Sequence, residues 1–163
     1  MGVVPYSQEF TSAVAPSRMF KALVLDSHNI LPKIVPEGIK SVKFVEGDGG
    51  VGSIKQTNFG ESAHIRYRMH KIGALDVENL YCKYTLIESD IKFDKIDCIV
   101  DEVKFTSANG GCVCKMTSDY HVKEGAKLKA ELKEVDMKPG KDIAMGLLKS
   151  FKEYLLANPD ICA

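Results

Sequence analysis

From Lys40 to Val122, apolar and polar residues alternate in one run after another, the period of strands with one buried face. The runs are Ser41 to Glu46, Ser53 to Phe59, Leu80 to Glu88, Lys95 to Thr106 and Cys112 to Val122. The cleanest two-faced segment sets Ile65, Tyr67 and Met69 against Arg66, Arg68 and His70. Between runs stand turn residues: Gly60, Gly73, Asp90 and Asn109-Gly110-Gly111. Connections this short hold no helix, and strands joined without one must pair antiparallel.

The flanks read differently. A strand is expected around Val4 to Thr11, and Pro16 then suits the first turn of a helix whose apolar face is Met19, Phe20, Leu23 and Val24. Ser27 is placed to cap a second short helix, which Pro32 and Pro36 limit or distort. Near the C-terminus, Ile143, Leu147, Leu148, Phe151, Tyr154 and Leu155 form a helical stripe, with Lys141, Lys149 and Lys152 away from it. Asn158-Pro159 ends that helix. Pro139-Gly140 is expected to mark its start, or a break between it and a turn at Leu128 to Val135. No repeat, low-complexity tract or linker interrupts the 163 residues, and one domain over 1–163 is expected.

The stretch GDGGVG, Gly47 to Gly52, raises the question of phosphate binding. A phosphate cradle of the Walker or dinucleotide type runs from strand through glycines into a helix, whose N-terminal amides hold the anion. Here the glycines run from strand into strand, and the Walker Lys-Ser/Thr pair is absent. The expected structure is a hairpin turn using the positive φ that glycine allows.

Charge and composition narrow the partners. The 22 basic and 22 acidic residues cancel, leaving no electrostatic footprint for nucleic acid or anionic lipid. No apolar run approaches the roughly 18 residues of a spanning helix. The N-terminal residues resemble no secretion signal, and Tyr6 stands where a myristoylation motif wants Ser or Thr. A soluble, cytosolic protein is expected, monomeric or at most weakly dimeric. Five cysteines at irregular spacings fit reduced thiols, some of them small core residues. Cys112 and Cys114 are expected to face opposite ways and to suit neither a zinc knuckle nor a redox pair. The histidines His28, His64, His70 and His121 form no metal or triad motif, so no metal and no cofactor are expected. His70 is assigned to the outward face, and His28 to the neighbourhood of an entrance.

The segments MGVVPYSQEFTS, FKALVLDSHNILPKIVPEGIKSV, EGDGGVGSIK, YTLIESD, ANGGCVCKMTSDYH and FKEYLLANPD together resemble the plant class 10 pathogenesis-related proteins, the group that includes the major birch pollen allergen. The resemblance is colinear over essentially the whole chain. It implies an α+β fold: a seven-stranded antiparallel sheet curled around a long C-terminal helix, braced by two short helices in a V. It also implies a large internal cavity for apolar or amphipathic molecules of the flavonoid, cytokinin, steroid or alkaloid classes. Physical reasoning agrees that one helix standing off a strongly curved sheet cannot fill the space to normal interior density. An ordinary packed core built of the same residues is the alternative.

Strand parity nominates Ile65, Tyr67 and Met69 as inward, and Phe59 carries Lys55 and Thr57 with it. The resemblance turns Cys82 and Tyr84 inward, then Cys114, Met116, Ser118 and Tyr120, and adds Leu23, Ile39, Ile143 and Leu147. Between Lys95 and Thr106 parity is ambiguous, and the resemblance favours Ile99, Val103 and Phe105 over Ile96, Cys98 and Val100, which points Asp101 inward. Buried phenols need hydrogen-bond partners, in the protein or on a guest. An inward Lys55 needs a structural pairing, access to water, or a ligand oxygen. Cys82 stands where the birch-type pattern often has tyrosine, which reshapes the cavity.

Binding without obligatory chemistry is the expected role. Relatives of this fold that condense amines with aldehydes imply an alternative in which Lys55, Asp101 and Tyr84 transfer protons. Ribonuclease activity is the weaker alternative. Its usual glutamate two residues before Tyr154 is Lys152 here, and Glu153 lies about 100° around the helix.

Overall fold

The computed structural model describes residues 2–36, 38–61, 65–90, 96–122 and 134–162, with the side chains of 2 and 134–144 outside the description. Strand β1 (Gly2–Ser12) leads to helix α1 (Pro16–Phe20), a π-helical turn (Lys21–Leu25) and helix α2 (Ser27–Ile34). Strands β2 (Ile39–Glu46), β3 (Ile54–Phe59), β4 (Tyr67–Asp76), β5 (Tyr81–Ser89), β6 (Ile96–Ala108) and β7 (Gly111–Val122) follow, and helix α3 (Glu134–Ala157) comes last.

All seven strands form one antiparallel sheet in the order β1-β7-β6-β5-β4-β3-β2. Five neighbours are joined in chain order, as short connections require, while β1 crosses over to pair with β7 along its full length. Register shifts interrupt the pairing at Met69/His70, Ile72/Ala74 and Ile96/Cys98, and at two points of β2. Extra residues of this kind bend a strand and increase its twist, which curves the sheet.

The glycine stretch is the β2–β3 connection. Gly47, Gly49 and Gly52 have positive φ. A β-carbon on Gly47 would meet Ser53 Oγ at 2.3 Å, and that hydroxyl accepts the Gly49 amide at 2.9 Å. The loop therefore closes on its own serine.

Pro16 begins α1, as its fixed φ and missing N–H favour. Met19 and Phe20 are fully buried, and the Phe20 ring meets Phe105 edge to face at 6.0 Å. From α3, Leu148, Phe151 and Leu155 enter the same core, beside Cys112, Cys114 and Val103 of the sheet. Arg18 ties the two helices together. Its guanidinium donates to the carbonyls of Leu155 at 3.1 Å, in the last turn of α3, and of Asn158 at 3.0 Å and Ile161 at 2.7 Å just beyond it. A smaller cluster, Val4, Ile96, Tyr120 and Val122, closes the opposite end of the sheet.

Three local expectations need correction. Helix α3 runs unbroken through Pro139-Gly140 from Glu134. Proline there removes one backbone donor and crowds the carbonyl four residues back, and the helix continues through it all the same. The turn expected at Leu128 to Val135 lies, up to 133, outside the described residues. Asp26, not Ser27, is the N-cap of α2, and no side chain caps it. Cys112 and Cys114 are both buried in one core, since residues two apart on a strand share a face.

Candidate ligand-binding cavity

A cavity of about 470 Å³ lies between the inner face of the sheet and the helices. It is bounded by members of both packed clusters, among them Val103 and Phe151 at one side and Ile96 and Tyr120 at the other. The π-helical turn contributes Leu23 and Val24, α2 contributes Ser27 and Leu31, and α3 contributes Leu147, Leu148 and Phe151.

Many residues anticipated from the sequence meet on this wall: Leu23, Ile39, Lys55, Phe59, Cys82, Tyr84, Asp101, Val103, Met116, Tyr120 and Leu147, with Thr57, Ile99 and Ser118. Cys114 does not. It is fully buried in the packed core one pair of residues beyond Met116. The side chain of Ile143 lies outside the described residues.

The assignment of Ile65, Tyr67 and Met69 to the inner face is wrong, and so is the outward placement of His70. Lys55 pairs with His70, and Thr57 with Arg68. Residues directly opposite in an antiparallel pair share a face, so an inward Lys55 and Thr57 bring Arg68 and His70 inward and turn Tyr67 and Met69 out. Arg68, His70 and Ile72 line the cavity accordingly. Tyr67 instead donates its hydroxyl to Glu88 at 3.0 Å on the outer surface. Half-buried Ile65 precedes β4 and is not on the wall. Sequence reasoning also missed Tyr6, Gln8, Val42 and Ile96. The signal for Arg68 and His70 was available in the Lys55–Thr57–Phe59 parity, once the hairpin register is known.

The polar groups on the wall are pushed toward their neutral forms. Burial lowers the Lys55 pKa below its ordinary value, with the nearby Cys82 thiol opposing the shift. The ammonium donates to Ser27 Oγ at 2.7 Å and lies 5.9 Å above the Phe44 ring. Burial, then the charges of Arg68 and Lys55, bring His70 down to about 3. Its ring meets Tyr84 edge to face at 5.4 Å. Burial raises Tyr84 well above its usual range, with Asp101 adding to the effect, and raises Cys82 to about 11. Asp101 is raised by burial, against the hydrogen bond from Ser118 Oγ at 2.5 Å. Two atoms on the wall, Gln8 Oε1 and Arg68 Nε, are buried and have no hydrogen-bond partner. His28, expected near an entrance, is not on the wall; its ring packs on Phe44 at 5.1 Å.

Such a surface can hold an apolar body and offer it a few hydrogen-bonding anchors. Among the described residues, Lys55, Asp101 and Tyr84 are not hydrogen-bonded to one another. Lys55 contacts Ser27, and Asp101 contacts Ser118. No described helix is long and apolar enough to cross a membrane.

Comparison with known proteins places this geometry. The model of the family described as "Pathogenesis-related protein Bet v 1 family" matches residues 1–158. Major allergen Pru ar 1 of Prunus armeniaca is 45% identical over 161 residues, covering 98% of each chain. Pathogenesis-related protein STH-21 of Solanum tuberosum is 46% identical over 164 residues, covering 100% of both. Among solved structures, Ara h 8.0201 superposes with a TM-score of 0.82 at 31% identity, covering 96% of this chain and 100% of its own. Norcoclaurine synthase from Thalictrum flavum, at 21% identity and a TM-score of 0.73, covers 95% of this chain and 87% of its own, and shares the fold.

Proposed function

The chain belongs to the Bet v 1 family of pathogenesis-related proteins, and from that membership we propose that it is a plant defence-type carrier or store. Apolar or amphipathic small molecules of the flavonoid, cytokinin, steroid or alkaloid classes enter its cavity in the cytoplasm. A single copy suffices, because elements of one chain form the cavity wall. The observation that carries this reading is the unfilled interior of about 470 Å³. It falls within the roughly 300–1,000 Å³ of small-molecule sites.

The mechanism is transfer of the guest's apolar surface out of water. Each buried methylene contributes about 0.8 kcal/mol, and the few polar groups orient the guest. Lys55, Tyr84, Asp101 and Tyr120, with Cys82 and Met116 as deformable wall, are the residues assigned to contact. The separate hydrogen bonding of Lys55 and Asp101 favours binding over an amine–aldehyde condensation, which needs several groups converging on one reacting atom.

Titration with the neutral fluorescent dye Nile red, followed by displacement with candidate metabolites, tests the proposal. Saturable uptake is expected, weakened by Tyr84→Ala and Lys55→Ala. No uptake, and no effect of either substitution, would remove its basis.

A further inference from the structure

Two cations stand on adjacent strands of the cavity wall, neither within 4.0 Å of a carboxylate among the described residues, while Asp101 and Asp90 act on Arg68 from farther off. Lys55 on β3 is the register partner of His70 on β4, and Arg68 lies two residues from His70 on the same face. The three nitrogen-bearing side chains thus form one continuous patch. Lys55 donates to the Ser27 hydroxyl. Arg68 Nε, buried, donates to nothing. Asp101, the carboxylate on the wall, accepts from Ser118 and makes no ion pair within 4.0 Å with either cation. Among the described lining residues, two cations face one carboxylate, an excess of one positive charge.

A buried cation with no carboxylate in direct contact is costly, and the cost is relieved when an anion reaches it. A guanidinium with a free Nε–H offers the planar fork that matches a carboxylate, and the neutral imidazole of His70 can donate one further N–H. This argument rests on the proposed carrier role. Given that role, the geometry points to a preferred guest: a monocarboxylic acid, its carboxylate held by Arg68 with His70 and Lys55 beside it, and its apolar body against Ile72, Val103 and Met116. Arg68 is then the residue that sets ligand class. A substitution there changes the ratio of affinities for an acid and its neutral analogue.

The test compares 4-phenylbutanoic acid with its methyl ester as competitors for Nile red on the intact chain, at about pH 7.5, where the acid is ionised. The acid is expected to displace the dye at about tenfold lower concentration than the ester, as a charge-assisted hydrogen bond implies. Arg68→Met is expected to remove most of that preference, read as the ratio of acid to ester concentrations at half displacement whatever the variant's own dye affinity, and Arg68→Lys to keep part of it. Equal displacement by acid and ester on the unaltered protein overturns the inference and leaves the carrier role standing. So does a preference that survives in both Arg68→Met and Lys55→Met. If neither the dye nor either competitor binds, by fluorescence or by direct calorimetry, the carrier role and the inference fall together. The comparison on the unaltered protein decides the question even if a variant fails to fold.

Discussion

The imidazole of His70 sits where the proton it would accept has nowhere favourable to go. Its pKa falls to about 3 because of burial, then Arg68 and Lys55, so between that value and the ordinary 6.5 the unfolded chain binds a proton that the folded chain refuses. The sign follows directly: this group's contribution to stability is complete above about 6.5 and is lost as pH falls through the window toward 3. Urea midpoints measured between pH 7 and pH 4 are expected to drop, and His70→Gln to flatten that part of the profile. In a proton NMR titration the His70 ring should stay neutral at pH 5, where an ordinary histidine is charged. Gly111 is a second sensitive position, for a steric reason. A β-carbon there would lie 2.0 Å from the Ser12 carbonyl oxygen and 2.8 Å from Ala13 Cα, both backbone atoms. Gly111→Ala forces β1 away from β7 and is expected to destabilise by about 1–3 kcal/mol, read from urea denaturation.

Among elements, the α1–α3 contact joins a shared apolar core to one polar tie. Arg18 supplies donors to three carbonyls at and beyond the end of α3, and Arg18→Met leaves those acceptors without it. A loss of about 1–3 kcal/mol is expected in chemical denaturation, with faster hydrogen exchange at the end of α3. The strands and helices were largely legible in the sequence, because alternation and the helical stripe are local signals. Strand-to-strand register was not. On β4 the apolar alternates Tyr67 and Met69 invite an inward assignment, yet the pairing Lys55–His70 decides the face, and that pairing joins two strands through a loop. The usual equation of apolar with inward fails here because the inner face borders a cavity with polar anchors rather than a dry core. Cys114 shows the converse: its face was legible, but whether that part of the face meets the hollow or packed side chains depends on where α1 and α3 press on the sheet. The starts of α2 and α3 were misread for a third reason. A proline or a serine marks a permitted boundary, and the surrounding contacts choose whether it is used.

For the molecule as a whole, the unfilled interior is the property that matters most. Val103→Phe adds a ring to the wall and is expected to weaken Nile red uptake by about tenfold or more, because apolar volume is taken from the guest. The substitution should lower stability little, since it fills space rather than opening it. The same hollow bears on how the protein responds to compression. Unfolding abolishes internal void, so the denatured chain with its hydration occupies less volume than the folded molecule, and hydrostatic pressure drives the equilibrium toward it. A resident guest restores the missing mass and takes away that incentive, so the loaded protein should withstand pressures that unfold the empty one.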